Sequence, residues 1–188
     1  MSMEGRKFES RQEIMETLKE NGRDLAGADL SGLDLSQIKL AGMNLKGVDL
    51  HGANLSHALL AGADMSEMNL ANADLSEARI FGANLHSANL RGANLHAAKM
   101  AGADLHDADL TGADLSQSRM MGINVEGADF TDAITSEARA AGVAWDEAKV
   151  APAELPASIQ PPRWLPLLVL GVIVGLFFLF RRRKAQEA

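Results

Sequence analysis

The sequence predicts an all-β solenoid: a four-sided coil with a short helical cap at its N-terminal end and a transmembrane helix beyond its C-terminal end. Three observations carry this. Every fifth residue from position 25 to position 130 is apolar, twenty-two in succession, of which sixteen are Leu and the rest are Met65, Ile80, Met100, Met120, Val125 and Phe130. The residue two positions before each of these is Ala in fourteen of the twenty-two. The residue just before is Asp or Asn in seventeen, and the five exceptions, Lys39, Leu59, Arg79, Lys99 and Arg119, stand twenty residues apart. A period of five matches neither helix nor simple strand. Nested in a period of twenty, it describes four equal sides closing one coil, so that residues twenty apart stack at about 4.8 Å. Side chains at i and i−2 point the same way in extended chain, so each side sends one large and one small residue inward.

Residues 1–22 read as a capping helix. Ser10 and Glu13 form a capping box, Gly22 suits the stop, and Ile14, Met15 and Leu18, with Phe8 nearby, supply an apolar face to cover the first coil. The repeats occupy residues 23–132. Bulky residues replace Ala at Leu33, Ile38, Met43 and Val48, which implies a wider or distorted interior in the first coils. Past residue 132 the register fails, and Ala138, Ala141, Val143 and Trp145 suggest a second cap over 133–150. Four prolines between 151 and 163 (Pro152, Pro156, Pro161 and Pro162) make a stiff linker. Residues 164–180 carry no charge and are bracketed by Arg163 and a basic tail, 181–188, that opens with three Arg and a Lys. Seventeen residues of helix measure roughly 25 Å, enough to span a bilayer with snorkelling basic flanks and Trp164 at the interface. Gly171 and Gly175 form a G-x-x-x-G that permits a homodimer within the span.

The repeat runs A-D-L-S-G at residues 28–32, A-N-L-H-S at 83–87, A-N-L-R-G at 88–92 and A-D-L-T-G at 108–112 resemble the pentapeptide-repeat family, whose consensus is A-(D/N)-L-x-x. The resemblance covers roughly residues 23–132. It implies a right-handed quadrilateral β-helix, and it leaves function open, because some members mimic DNA and bind gyrase and others are secreted effectors directed to a host membrane. Both stand here as alternatives to a membrane-anchored, non-enzymatic scaffold for protein–protein interaction.

Composition narrows the choice. The chain has no Cys, which excludes disulfides and thiolate metal sites. Its net charge is −7, and residues 24–132 hold fifteen acidic and six basic side chains. That balance argues against nucleic acid as a partner. No phosphate loop or paired catalytic carboxylates stand out, so neither an enzyme nor a cofactor is expected. The outer Asp/Asn columns, such as Asp24, Asn44, Asp64 and Asn84, read as corner hydrogen-bonding groups. His86 and His106 stack with Asp107 beside them, yet four ligands are not evident, and no metal site is assigned. The candidate interaction strip is the odd column, Lys39, Leu59, Arg79, Lys99 and Arg119, with Phe81 and Met121 beside it. An acidic protein partner or anionic lipid would suit it; pairing of each cation with a neighbour such as Glu77 is the structural alternative. With no export signal in view, a C-terminal anchor inserted after synthesis leaves the repeats in the cytoplasm, although the basic tail argues for the reverse orientation.

Overall fold

The structure is a computed structural model that describes residues 3–158. The expected membrane helix at 164–180, with Gly171 and Gly175, lies outside the described residues; among those, no helix is long and apolar enough to cross a membrane. Met1–Ser158 forms one compact unit.

That unit is a solenoid of parallel rungs, and the twenty-residue period sets every pairing. Asp24 pairs with Asn44, Asn44 with Asp64, Asp64 with Asn84, and so along each side. The apolar residue's N–H donates to the next rung, as from Leu25 to the Asn44 carbonyl at 2.9 Å, while Asn44 N–H returns to the Arg23 carbonyl at 2.8 Å. Corners are tight turns: Ala28 N–H closes onto the Leu25 carbonyl at 3.0 Å. The third turn position has positive φ whether it holds Gly127 (67°) or Asp107 (56°), the requirement of a type II turn. Inside, the Leu column from Leu25 to Leu115 and the Ala column are fully buried. Of the bulky replacements, Ile38 and Val48 fit within the interior, while Leu33 and Met43 stay half-buried against it. The first coils accommodate them unequally.

Asp and Asn are positioned by the same geometry. Each side-chain Oδ1 accepts the backbone N–H two residues on, as Asp74 does from Ser76 at 2.9 Å. At most places where Asn follows Asp along a stack, the amide donates to the carboxylate one rung back: Asn44 to Asp24 at 2.9 Å, Asn94 to Asp74 at 3.0 Å and Asn124 to Asp104 at 2.9 Å. Alternation therefore replaces carboxylate repulsion by a hydrogen-bonded ladder.

Both ends differ from the boundaries expected above. The N-terminal helix is α1, Arg11–Asn21, capped by the Ser10 side chain. It does not begin at the chain start: Lys7 pairs with Asp29, and Phe8 N–H donates to the Asp29 carbonyl at 2.9 Å, so residues before α1 form a partial first rung. Met3 and Phe8 are buried there, and Ile14 of α1 closes the interior. The Glu13 carboxylate accepts from Glu9 N–H instead of Ser10 N–H, a displaced form of the expected box.

At the other end the coil outlasts residue 132. One side becomes a regular parallel sheet of β1 (Lys99–Ala101), β2 (Arg119–Met121), β3 (Arg139–Ala141) and β4 (Ala157–Ser158), in that order. Part of the predicted cap is thus a further rung, and part of the predicted linker returns to pair with it. Pro152 and Pro156 are buried on this last rung. A residue lacking an N–H suits this rung, beyond which no further coil offers a carbonyl among the described residues. Trp145 packs edge-on against Phe130, with ring centroids 5.4 Å apart.

Asp129 ties this end together. Its carboxylate accepts from Thr131 Oγ1 at 2.6 Å and Thr131 N–H at 3.0 Å, and Lys149 Nζ lies 3.0 Å away. The Thr131 hydrogen bonds, then Lys149, lower its pKa from 3.8 to about 2. Between those values the unfolded chain binds the proton and the folded one does not, so stability falls as pH drops through this window. Asp129→Asn should lower the Tm at pH 7, and the gap from the parent protein should close by about pH 2; melts across that range check it.

Candidate functional site

The odd column is continuous in space. Lys39 pairs with Leu59, Leu59 with Arg79 and Arg79 with Lys99; β1 and β2 then bring Lys99 beside Arg119. The next pairing sets Arg119 beside Arg139, a residue absent from the sequence-derived strip. Arg79, Lys99, Arg119 and Arg139 therefore occupy four successive rungs, all exposed. The missed member stands at the twenty-residue interval, but Ile134 and Thr135 break the consensus just before it and hide the continuation.

Among the described residues, none of Lys39, Arg79, Lys99, Arg119 and Arg139 takes part in an ion pair. Glu77, the partner expected for a neighbouring cation, instead faces His57 Nδ1 at 3.5 Å. Exposed apolar groups flank the column: Phe81 is 39% exposed and Met121 50%. Met121 lies in register with Ala101 and Ala141, so the neighbouring column is low and apolar around it. At the other end of the strip, Gln37, Lys39, His57, Leu59, Glu77, Arg79 and Lys99 line a shallow groove of about 440 Å³. The surface thus offers a row of guanidinium and ammonium groups beside two apolar contacts. Unit charges near 5 Å apart in water repel by roughly 1 kcal/mol, a cost that a bound anionic group would relieve.

Ser36, Ser56, Ser76 and Ser116 recur at the twenty-residue interval with His96 in the fourth place, and they show no hydrolase arrangement. His96 Nδ1 lies 2.9 Å from Ser116 Oγ, and among the described residues no carboxylate bonds the His96 ring. A nucleophile here would lack the group that orients its base. A second histidine group is more compact. The rings of His86 and His106 stack with centroids 5.0 Å apart and planes inclined by 13°. Asp107 Oδ2 is 3.3 Å from His106 Nε2, and Glu126 Oε2 is 3.7 Å from His106 Nδ1.

A solenoid with this register and these columns is a repeat scaffold, and comparison places it. The model for "Pentapeptide repeats" matches in overlapping segments, 24–60, 49–86, 79–117 and 88–127, which together span more than half of the chain. The protein belongs to the pentapeptide-repeat family. Its structure is similar to a pentapeptide-repeat protein, Rfr23, from the cyanobacterium Cyanothece 51142, at 22% identity and TM-score 0.50, covering 73% of this chain and 100% of that one. It is also similar to full-length QnrB1, a plasmid-mediated fluoroquinolone resistance protein, at 15% identity and TM-score 0.56, covering 90% and 96%. These likenesses establish the right-handed β-helix. No curated protein matches the chain.

Proposed function

We propose that this protein is a non-enzymatic scaffold, held at a membrane by residues 164–180, that receives an acidic protein partner on its basic strip. The observation that carries the reading is the uncompensated column of Arg79, Lys99, Arg119 and Arg139 beside Phe81 and Met121, on a solenoid that is otherwise acidic. Interaction surfaces are richest in Arg and exposed apolar anchors, and a rigid coil presents both without an ordering cost. The uncharged run at 164–180 and its basic flanks support the anchor, and Gly171 with Gly175 supports pairing of two copies.

The side of the membrane and the strip are tested together. The chain lacks Cys, and the His51 side chain is exposed, so His51→Cys gives a single label site. An impermeant maleimide should label it only after permeabilisation, and the protein should stay with membranes through alkaline carbonate. Labelling of intact cells would place the solenoid outside, and release by carbonate would end the anchor. Reversal of Arg79, Lys99, Arg119 and Arg139 to Glu should abolish recovery of the cross-linked partner; unchanged recovery would end the role of the strip.

A second reading is favoured by one feature, the acidity of the remaining faces. Residues 24–132 carry a net charge of −9 from fifteen acidic and six basic side chains. With the shape shared with a fluoroquinolone resistance protein, this supports a DNA-like surface that binds a topoisomerase. A supercoiling assay decides it, since this reading requires an effect at micromolar protein.

A further inference from the structure

We infer that His86, His106 and Asp107 form a surface site for an imidazole-preferring divalent metal ion such as Zn²⁺ or Ni²⁺, clamping two successive coils. Each residue offers one ligand atom, and these atoms lie within 4.8 Å of one another. A tetrahedral zinc centre with bonds near 2.0–2.1 Å places neighbouring ligand atoms about 3.4 Å apart. His106 Nε2 and Asp107 Oδ2, at 3.3 Å, already have that separation. His86 needs only a side-chain rotation, because both histidines are half-buried on the outside of the coil and not in its interior.

The surroundings suit metal better than a chance cluster would. Glu126 sits one rung beyond His106 and faces its Nδ1 at 3.7 Å. A small side-chain movement would bring this carboxylate into hydrogen-bond reach of Nδ1, where it would hold the proton and leave the Nε2 lone pair to the metal, the arrangement that orients histidines on zinc. Gly127, the corner one rung on, leaves room for Asp107: a Cβ there would meet Asp107 Oδ1 and push the carboxylate out of its present position. The sequence places Asp107 beside the two imidazoles but shows no further group around them. The coil adds Asp107 as third ligand and Glu126 as a positioning residue, leaving one position for water or a partner's side chain.

The test is calorimetric titration of the full-length protein in detergent with ZnCl₂, repeated with Co²⁺ to read ligand-field bands. We expect one ion per chain, a tetrahedral Co²⁺ spectrum, and at least a tenfold loss of affinity in His86→Gln and His106→Gln. Glu126→Gln, which touches only the outer carboxylate, should cost about tenfold, whereas His96→Gln should bind as the parent does. A parent protein that binds neither ion would overturn the inference. So would binding that survives His106→Gln, since it would lie elsewhere.

Discussion

Phe130→Ala is expected to cost about 3–5 kcal/mol, the range for truncating a buried aromatic ring, and to do so at one end of the coil. Phe130 is fully buried and packs edge-on against Trp145. Its N–H donates to the Val150 carbonyl at 2.9 Å, so the same residue sets the rung that follows it. In a stack of rungs, stability is close to a sum of unit terms and nearest-neighbour terms. Loss at the last contacts therefore frays the end before it unfolds the whole. Hydrogen exchange should quicken from Phe130 to Ser158 while amides near Leu70 stay protected. Uniform loss of protection would show that the coil melts as one block.

Leu90→Ala is the contrasting case, expected to cost about 2–5 kcal/mol. Leu90 is 1% exposed, midway along a column with Leu70 before it and Leu110 after it. The neighbouring rungs are pinned by their own ladders, as in Leu90 N–H to Asp109 carbonyl at 2.7 Å, so they cannot close on the space left behind. A fault here interrupts the stack between two halves. Denaturant unfolding of this variant should lose cooperativity, giving a broader transition or two, while the Phe130 variant should keep a main transition with an early shoulder.

Much of this architecture is legible from periodicity alone, because a coil repeats one local solution and every inward side chain declares the register. Leu, Ala and Asp/Asn each hold one job per side, so burial, column membership and the amide ladder follow from position modulo twenty. Legibility fails where the local solution changes. Phe8 pairs at the level of Leu30, but α1 intervenes and the interval is no longer twenty, so the partial first rung goes unseen. Arg139 is hidden by Ile134 and Thr135, which fill the places of Asp and Leu without breaking the coil. The prolines at 152 and 156 suggest a free spacer because proline opposes sheet pairing, yet at a terminal rung that objection disappears. The strip itself was visible, but its lack of counterions was not: which base Glu77 or Asp109 faces is a matter of rotamers. Glu77 meets His57 and Asp109 meets Arg91, and neither choice is written in the period.

The equality of the four sides has a consequence for how such a chain can change its length. Gain or loss of twenty residues returns every later side chain to its old bearing, and the row of cations is merely lengthened or shortened. Gain or loss of five keeps the interior filled but turns everything downstream by a quarter revolution. A single inserted repeat between Leu60 and Arg79 would swing Arg79, Lys99, Arg119 and Arg139 onto the adjacent side, away from Lys39. The fold would tolerate the change and the surface would not, so insertion length acts as a dial for where the molecule points its charge.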